Sequence, residues 1–307
     1  MRIITSGLSF LDIDAYGGIV AYAELLNKQG EEAIAYSSAK MNESITETIR
    51  SWGTKIVQVI NPSEADTFVV VDVSEPEFLD KAVVLDRVEE VIDHHVGYEG
   101  FWTAKIGDKA NIEFIGAACT QVFEAWEKAG LADDISEMSA RLLVAGILDN
   151  TLNFRAEVTT ERDINAYKKL LKMAALPDNW TEIYFKECEN SILADVSSSL
   201  LNDTKTIHTS SLPISKLAFG QLVIWSAESA ATDHRIAIEK VMSQQASDWF
   251  VNIVSIREGK NYLLASNGIA QKWAEMLVDV QFEEGIAQTN RLWLRKEIIK
   301  KDFEAAL

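Results

Sequence analysis

Carboxylates and histidines recur in this chain where a folded protein would deliver side chains to a common edge. Asp12 and Asp14 follow the first apolar run, Asp72 ends a continuous β-branched run, and Asp93-His94-His95 follow a third. Carboxylate oxygens with imidazole nitrogens suit Mn²⁺, Mg²⁺ or Zn²⁺, and two such ions bridged by a carboxylate clamp a phosphoryl group. Any one aspartate says little, because aspartate is common in the loops that follow strands. Adjacent histidines are scarcer: two of the four in the chain stand together behind an aspartate.

The elements that must carry these residues alternate in type. Residues 2–6, 33–36, 67–73 and 91–92 read as strands, and the run Thr67-Phe68-Val69-Val70-Val71 has the β-branched continuity of a strand buried on both faces. Gly17-Gly18 is read as opening a helix, with Ile19, Tyr22, Ala23 and Leu26 at helical spacing and Gly30 as its stop. Further helices are expected over 120–128, 135–148, from Thr160 to before Pro177, and over 180–193. Beyond a polar stretch near residue 195, strands over 217–225, 249–256 and 262–265 are expected, the last two joined by a turn at 258–261, with helices over 233–245 and 269–277. The fold class is therefore α/β: a mainly parallel sheet with helices on both faces over 1–190, then a smaller mixed α/β domain over 195–307. In open sheets of this kind ligands bind outside the carboxyl ends of the strands, which is where the aspartates and histidines fall.

Composition narrows the function. At roughly 150 residues per domain, 307 residues make about two domains, and 48% hydrophobic with 25% charged residues excludes disorder or a collagen-like repeat. Lys and Arg total 29 against 47 Asp and Glu, a net charge of −18 that repels phosphate backbones and argues against broad nucleic-acid binding. A small phosphate compound stays compatible, because a bound metal inverts the local field. Only Cys119 and Cys188 are present, at no metal-like spacing, so neither a disulfide framework nor a zinc ribbon is expected. The first residues read as a strand rather than a signal peptide, and no apolar run approaches the length of a membrane span. The expectation is a cytoplasmic protein with no membrane partner, and an exposed edge strand of its parallel sheet would let two copies pair as a homodimer.

Together the motifs resemble the Asp-His-His phosphoesterase superfamily. Asp12-Ile13-Asp14-Ala15, Val71-Asp72, Val91-Ile92-Asp93-His94-His95, and Gly146-Ile147-Leu148-Asp149-Asn150-Thr151 with Thr160-Glu161-Arg162-Asp163 are similar to its four motifs. Gly116-Ala117-Ala118-Cys119-Thr120 stands where the family has a small-residue turn into a helix. In the second half, Asp203-Thr204-Lys205 and Leu294-Arg295-Lys296 resemble elements of family II inorganic pyrophosphatases and yeast-type exopolyphosphatases, and no Gly-Gly-His signature occurs. The resemblance implies a phosphohydrolase that uses two Mn²⁺ or Mg²⁺ ions to activate water against pyrophosphate, polyphosphate or a related small phosphate compound. It implies Asp12 and Asp72 at one ion and Asp14, Asp72 and His94 at the other, with His95 contacting phosphate or the leaving oxygen as a catalytic acid. Lys205, Arg295 and Lys296 would bind phosphate across an interdomain cleft.

Two positions depart from the pattern. The histidine expected four residues before Asp12 is Leu8, and the fourth-motif aspartate is Asn150, with Asp149 one residue earlier. Asp149 and Asn150 are therefore alternative fourth-motif ligands: one charged but about 100° away on a helix, the other a neutral amide. The same departures motivate an alternative reading, a catalytically weakened sensor or interaction protein that keeps the phosphate site.

Overall fold

The computed structural model describes residues 1–208, 216–278 and 280–298. The chain divides into two compact units between Thr181 and Glu182. In the first unit the elements are β1 (Arg2–Thr5), α1 (Ile13–Lys28), β2 (Ala33–Ala35), α2 (Glu47–Ser51), β3 (Thr67–Val71), β4 (Val88–Asp93), α3 (Glu99–Ile106), β5 (Ala110–Ile112), α4 (Ala118–Lys128), α5 (Glu137–Asn150) and α6 (Glu161–Leu171). Its five strands are all parallel, in the order β2-β1-β3-β4-β5. Ile3, Phe68, Val70, Val91 and Trp102 form one buried layer on this sheet. The expected α/β architecture is what the chain adopts.

The glycine pair 17–18 is a correction. Helix α1 begins four residues earlier, at Ile13, with the Asp12 carboxylate accepting from the Ala15 N–H as its N-cap. The two glycines lie inside the helix because neighbours press on it. A Cβ at Gly18 would meet Val71 Cγ1 at 2.7 Å, and one at Gly17 would meet the Leu142 carbonyl oxygen at 3.0 Å. Read as punctuation, they were packing contacts. The short strand β5 and helix α3 carry too little periodicity to be read from sequence.

The second unit holds α7 (Trp180–Ala194, whose first turn precedes the division), α8 (Val196–Asn202), β6 (Thr204–His208), β7 (Lys216–Ile224), α9 (Ala230–Asp233), α10 (Arg235–Gln245), β8 (Asp248–Ser255), β9 (Lys260–Ala265), α11 (Gly268–Val278), β10 (Ile286–Gln288) and α12 (Arg295–Glu297). Helix α7 belongs here because Ile192 and Leu193 pack on this unit's core and Phe185 stacks on Trp225 with ring centroids 5.4 Å apart. The sheet order is β10-β9-β8-β7-β6, with only β7 and β8 parallel. The β8–β9 turn spans 256–259 rather than the expected 258–261. Gly259 takes the left-handed φ of 66° the turn requires, while Asn261 is fully buried within β9.

Candidate metal centre

Strands β1 and β3 are neighbours, and the sheet grows to β2 on one side and to β4 on the other. The connections leaving β1 and β3 therefore diverge, opening a crevice at their carboxyl ends. Three of the expected residues enter it from these ends. Asp12 caps α1 and Asp14 sits in that helix's first turn. Asp72 follows β3 with φ 64°, a left-handed conformation that aspartate tolerates better than most side chains, and its N–H still donates to the Ile92 carbonyl at 2.8 Å. Asp93 ends β4, placing His94 and His95 just beyond it.

Backbone and carboxylate partners fix both imidazoles. His94 Nδ1 lies 3.1 Å from the Ile115 carbonyl oxygen, which can only accept, so Nδ1 carries a proton and Nε2 is the nitrogen turned to the carboxylates. That Nε2 is 3.2 Å from Asp72 Oδ1 and 3.8 Å from Asp14 Oδ2. His95 Nδ1 is 2.8 Å from Asp93 Oδ1, which also accepts the N–H groups of His94 and His95. Asp93 Oδ1 is thus spent on orienting the histidine pair, while its Oδ2 is buried without a hydrogen-bond partner among the described residues.

Asp72 Oδ1 and His94 Nε2 are buried, and among the described residues neither has a hydrogen-bond partner. An imidazole nitrogen and a carboxylate oxygen this close need a positive charge between them, which a proton or a metal cation supplies. Asp72, His94 and His95 each offer an atom capable of ligation within 4.8 Å of the others. An oxygen-and-nitrogen donor set with two orphaned lone pairs fits Mn²⁺ well. Burial, then the charges of Asp14 and Asp12, push the Asp72 carboxyl well above its ordinary range, which is the electrostatic strain a cation would relieve. Burial likewise raises Asp12.

The remaining carboxylates are held differently. Asp14 is 1% exposed and accepts from the N–H groups of Ala118 and Cys119, both at 2.8 Å, at the start of α4. The Asn150 amide, at the end of α5, donates to Asp14 Oδ2. Asp149 is outside the Asp72-His94-His95 cluster and has interactions of its own. Leu8 donates its N–H to the Phe78 carbonyl and offers no donor atom in its side chain. One organising residue entered the sequence analysis only as part of the fourth motif. Fully buried Asp163 accepts from Gly116 N–H, Thr120 Oγ1 and Thr160, tying the turn that serves Asp14 to α6.

Beside the aspartates lies a cavity of about 370 Å³ lined by Asp12, Asp72, Ser74, Glu75 and His95 with apolar walls from Phe10 and Phe78. In the second unit, Lys205 is exposed on β6. Arg295 is nearly buried, its guanidinium paired with the Asp203 carboxylate at 2.5 Å. The side chain of Lys296 lies outside the described residues.

Comparison with known proteins follows the same lines. Residues 2–147 match the DHH family, N-terminal domain. Over 175 residues the chain is 31% identical to a Deinococcus radiodurans protein named "Probable manganese-dependent inorganic pyrophosphatase", covering 54% of this chain and about half, 52%, of that relative. A Bacillus licheniformis protein of the same name is 21% identical over 100% of this chain and 99% of its own length. Among solved structures, a Methanococcus jannaschii protein assigned to the family II inorganic pyrophosphatases superposes over 100% of this chain and 99% of its own, with TM-score 0.67 and 17% identity. An exopolyphosphatase-related protein from Bacteroides fragilis gives TM-score 0.51 and 15% identity over 99% of this chain and 91% of its own. These two likenesses are of fold.

Proposed function

We propose that this chain, whose residues 2–147 match the DHH family, N-terminal domain, is a metal-dependent phosphohydrolase acting on pyrophosphate, polyphosphate or a related small phosphate compound. The observation that carries this is the buried pair Asp72 Oδ1 and His94 Nε2, 3.2 Å apart and without hydrogen-bond partners among the described residues. The names of the relatives support Mn²⁺ as the ion, and Mg²⁺ is the other hard cation that carboxylate oxygens suit. When bound, such an ion lowers the pKa of water and polarises a phosphoryl oxygen.

The chain's own residues supply the rest. Asp72 and His94 hold the cation, with Asp12 lining the cavity beside them. His95 holds a proton for the leaving oxygen. Desolvation works against its charged form, but the Asp93 hydrogen bond and the Asp72 charge outweigh it and hold the imidazole above its ordinary range. Lys205, Arg295 and Lys296 supply the cations that an otherwise acidic protein needs to hold a polyanion. The hydrogen bond between Asn150 and Asp14 favours one second reading, a phosphate-compound sensor with little turnover.

Phosphate release from pyrophosphate, tripolyphosphate and a mononucleotide, each with Mn²⁺, with Mg²⁺ and with chelator, separates the two. Metal-dependent release from a phosphoanhydride is the expected result. Calorimetric binding of the same compounds without release, and without dependence on metal, selects the sensor, and neither binding nor release overturns both.

A further inference from the structure

A centre for two ions needs two sets of donors that share a bridging carboxylate. Among the described residues one set of donors meets, Asp72, His94 and His95. An ionised carboxylate has about four acceptor positions, and Asp14 has given three of them to the Ala118 N–H, the Cys119 N–H and the Asn150 amide. The first two open α4, an eleven-residue helix, so the charge of Asp14 also rests at that helix's positive end. The Asn150 orientation follows from chemistry: only its NH₂ group can donate, and the reverse flip would set Oδ1 against a carboxylate oxygen.

Asn150 is also firmly placed. Leu152, Asn153 and Phe154 follow it with φ of 48°, 55° and 62°, three left-handed residues in succession, each costing about 1 kcal/mol. They are held by N–H bonds from Asn153 to the Leu148 carbonyl at 2.9 Å and from Phe154 to Thr151 Oγ1 at 3.1 Å. The Phe154 ring packs edge-on against Tyr167, with centroids 5.0 Å apart. Asp14 and Asn150 are thus spent on each other. Asp72 Oδ1 and His94 Nε2, by contrast, have spent nothing.

We infer that the centre holds a single divalent cation on Asp72 and His94, and that Asn150 is a positioning residue that keeps Asp14 out of ligation. Its amide gives Asp14, from within the chain, the partial positive charge that a second cation would otherwise supply. The inference rests on the metal-dependent reading above, but it concerns the number of ions and can fail alone.

The test is Mn²⁺ binding to the metal-free full-length chain, followed by calorimetry and by electron paramagnetic resonance, in which an isolated ion keeps its resolved hyperfine lines and a close pair loses them. The wild-type chain is expected to take up about one equivalent with resolved lines. Asn150→Asp, which replaces the internal donor with a carboxylate, is expected to take up about two with coupled lines. Two tight equivalents in the wild type overturn the single-ion centre and leave the metal-dependent reading standing, whereas no uptake overturns both. One equivalent in a folded Asn150→Asp chain overturns the role of Asn150. Should that variant fail to fold, Asn150→Ala frees Asp14 without adding charge and is expected to bind a second ion at least about 10-fold more weakly than the first. Absence of any second ion there overturns the role of Asn150 as well.

Discussion

Both units bury polar side chains, and they treat them in opposite ways. In the second unit Gln221 on β7 pairs in register with Asn252 on β8, and Asn261 reaches across from β9. The Asn261 amide donates to Asn252 Oδ1 at 2.5 Å and to the Trp293 carbonyl, and Trp293 returns its N–H to Asn261 Oδ1 at 3.0 Å. Gln221 accepts from the Arg295 N–H and donates to Asp203 Oδ2 at 2.9 Å. That network closes on itself and fastens the segment around Trp293 to the sheet. In the first unit, Asp72 Oδ1 and His94 Nε2 are just as deeply placed and have nothing to close on. An unsatisfied buried group costs about 1–3 kcal/mol. What sets the first site apart is that its unpartnered atoms are a carboxylate oxygen and an imidazole nitrogen 3.2 Å apart, two donors a cation can take together, whereas the amides of the second sheet are spent on one another.

The sharpest way to break the contrast is to neutralise one residue in each region. Asp72→Asn is expected to lower metal-dependent phosphate release by about 100-fold or more while the metal-free chain melts no lower than wild type, because an uncompensated buried charge has been removed. Urea unfolding and phosphate release measured on the same preparation check both halves. The opposite pattern is expected of Asn252→Ala: a loss of about 2–3 kcal/mol in unfolding free energy, since the Trp293 carbonyl and Asn261 each lose a partner. Its Mn²⁺ affinity should be unchanged.

A smaller effect probes the half-exposed edge of the centre. Asp93→Asn removes the strongest influence that raises the His95 pKa. If the protonated imidazole serves the leaving oxygen, activity falls as pH rises through that pKa, so the alkaline limb of the pH–rate profile should move to lower pH in the variant. A limb that stays in place would remove His95 from the acid role. The smallest change is expected from Asp203→Asn, which weakens a partly exposed ion pair with Arg295 and should cost at most about 1 kcal/mol in stability. Its KM for pyrophosphate reports whether the Arg295 guanidinium must be held in place to bind phosphate.

Much of this was open to sequence reading because the informative residues sit at strand ends. The β-branched run before Asp72 announces a buried parallel strand, and a residue just past such a strand can only emerge at the sheet's edge. The adjacent histidines after β4 followed the same logic. Where reading failed, it was because one residue type serves two physical purposes. Gly17 and Gly18 looked like a helix opening but give α1 its close approach to Val71 and Leu142. Gly259 did act as a turn residue, yet its neighbour Asn261 belongs to a buried polar network that no local pattern reveals. Similarly, the choice between Asp149 and Asn150 depended on backbone direction at the end of α5, and it is Asn150 whose side chain meets Asp14.

The Asp72–His94 pair is proposed as the cation site. Calorimetric titration of Mn²⁺ into the metal-free full-length chain at neutral pH, compared with His94→Ala confirmed as folded by circular dichroism, tests this most directly. Saturable binding in the wild-type chain that weakens by at least about 100-fold in His94→Ala is the result the geometry predicts. Equal Mn²⁺ affinity in both chains would contradict it.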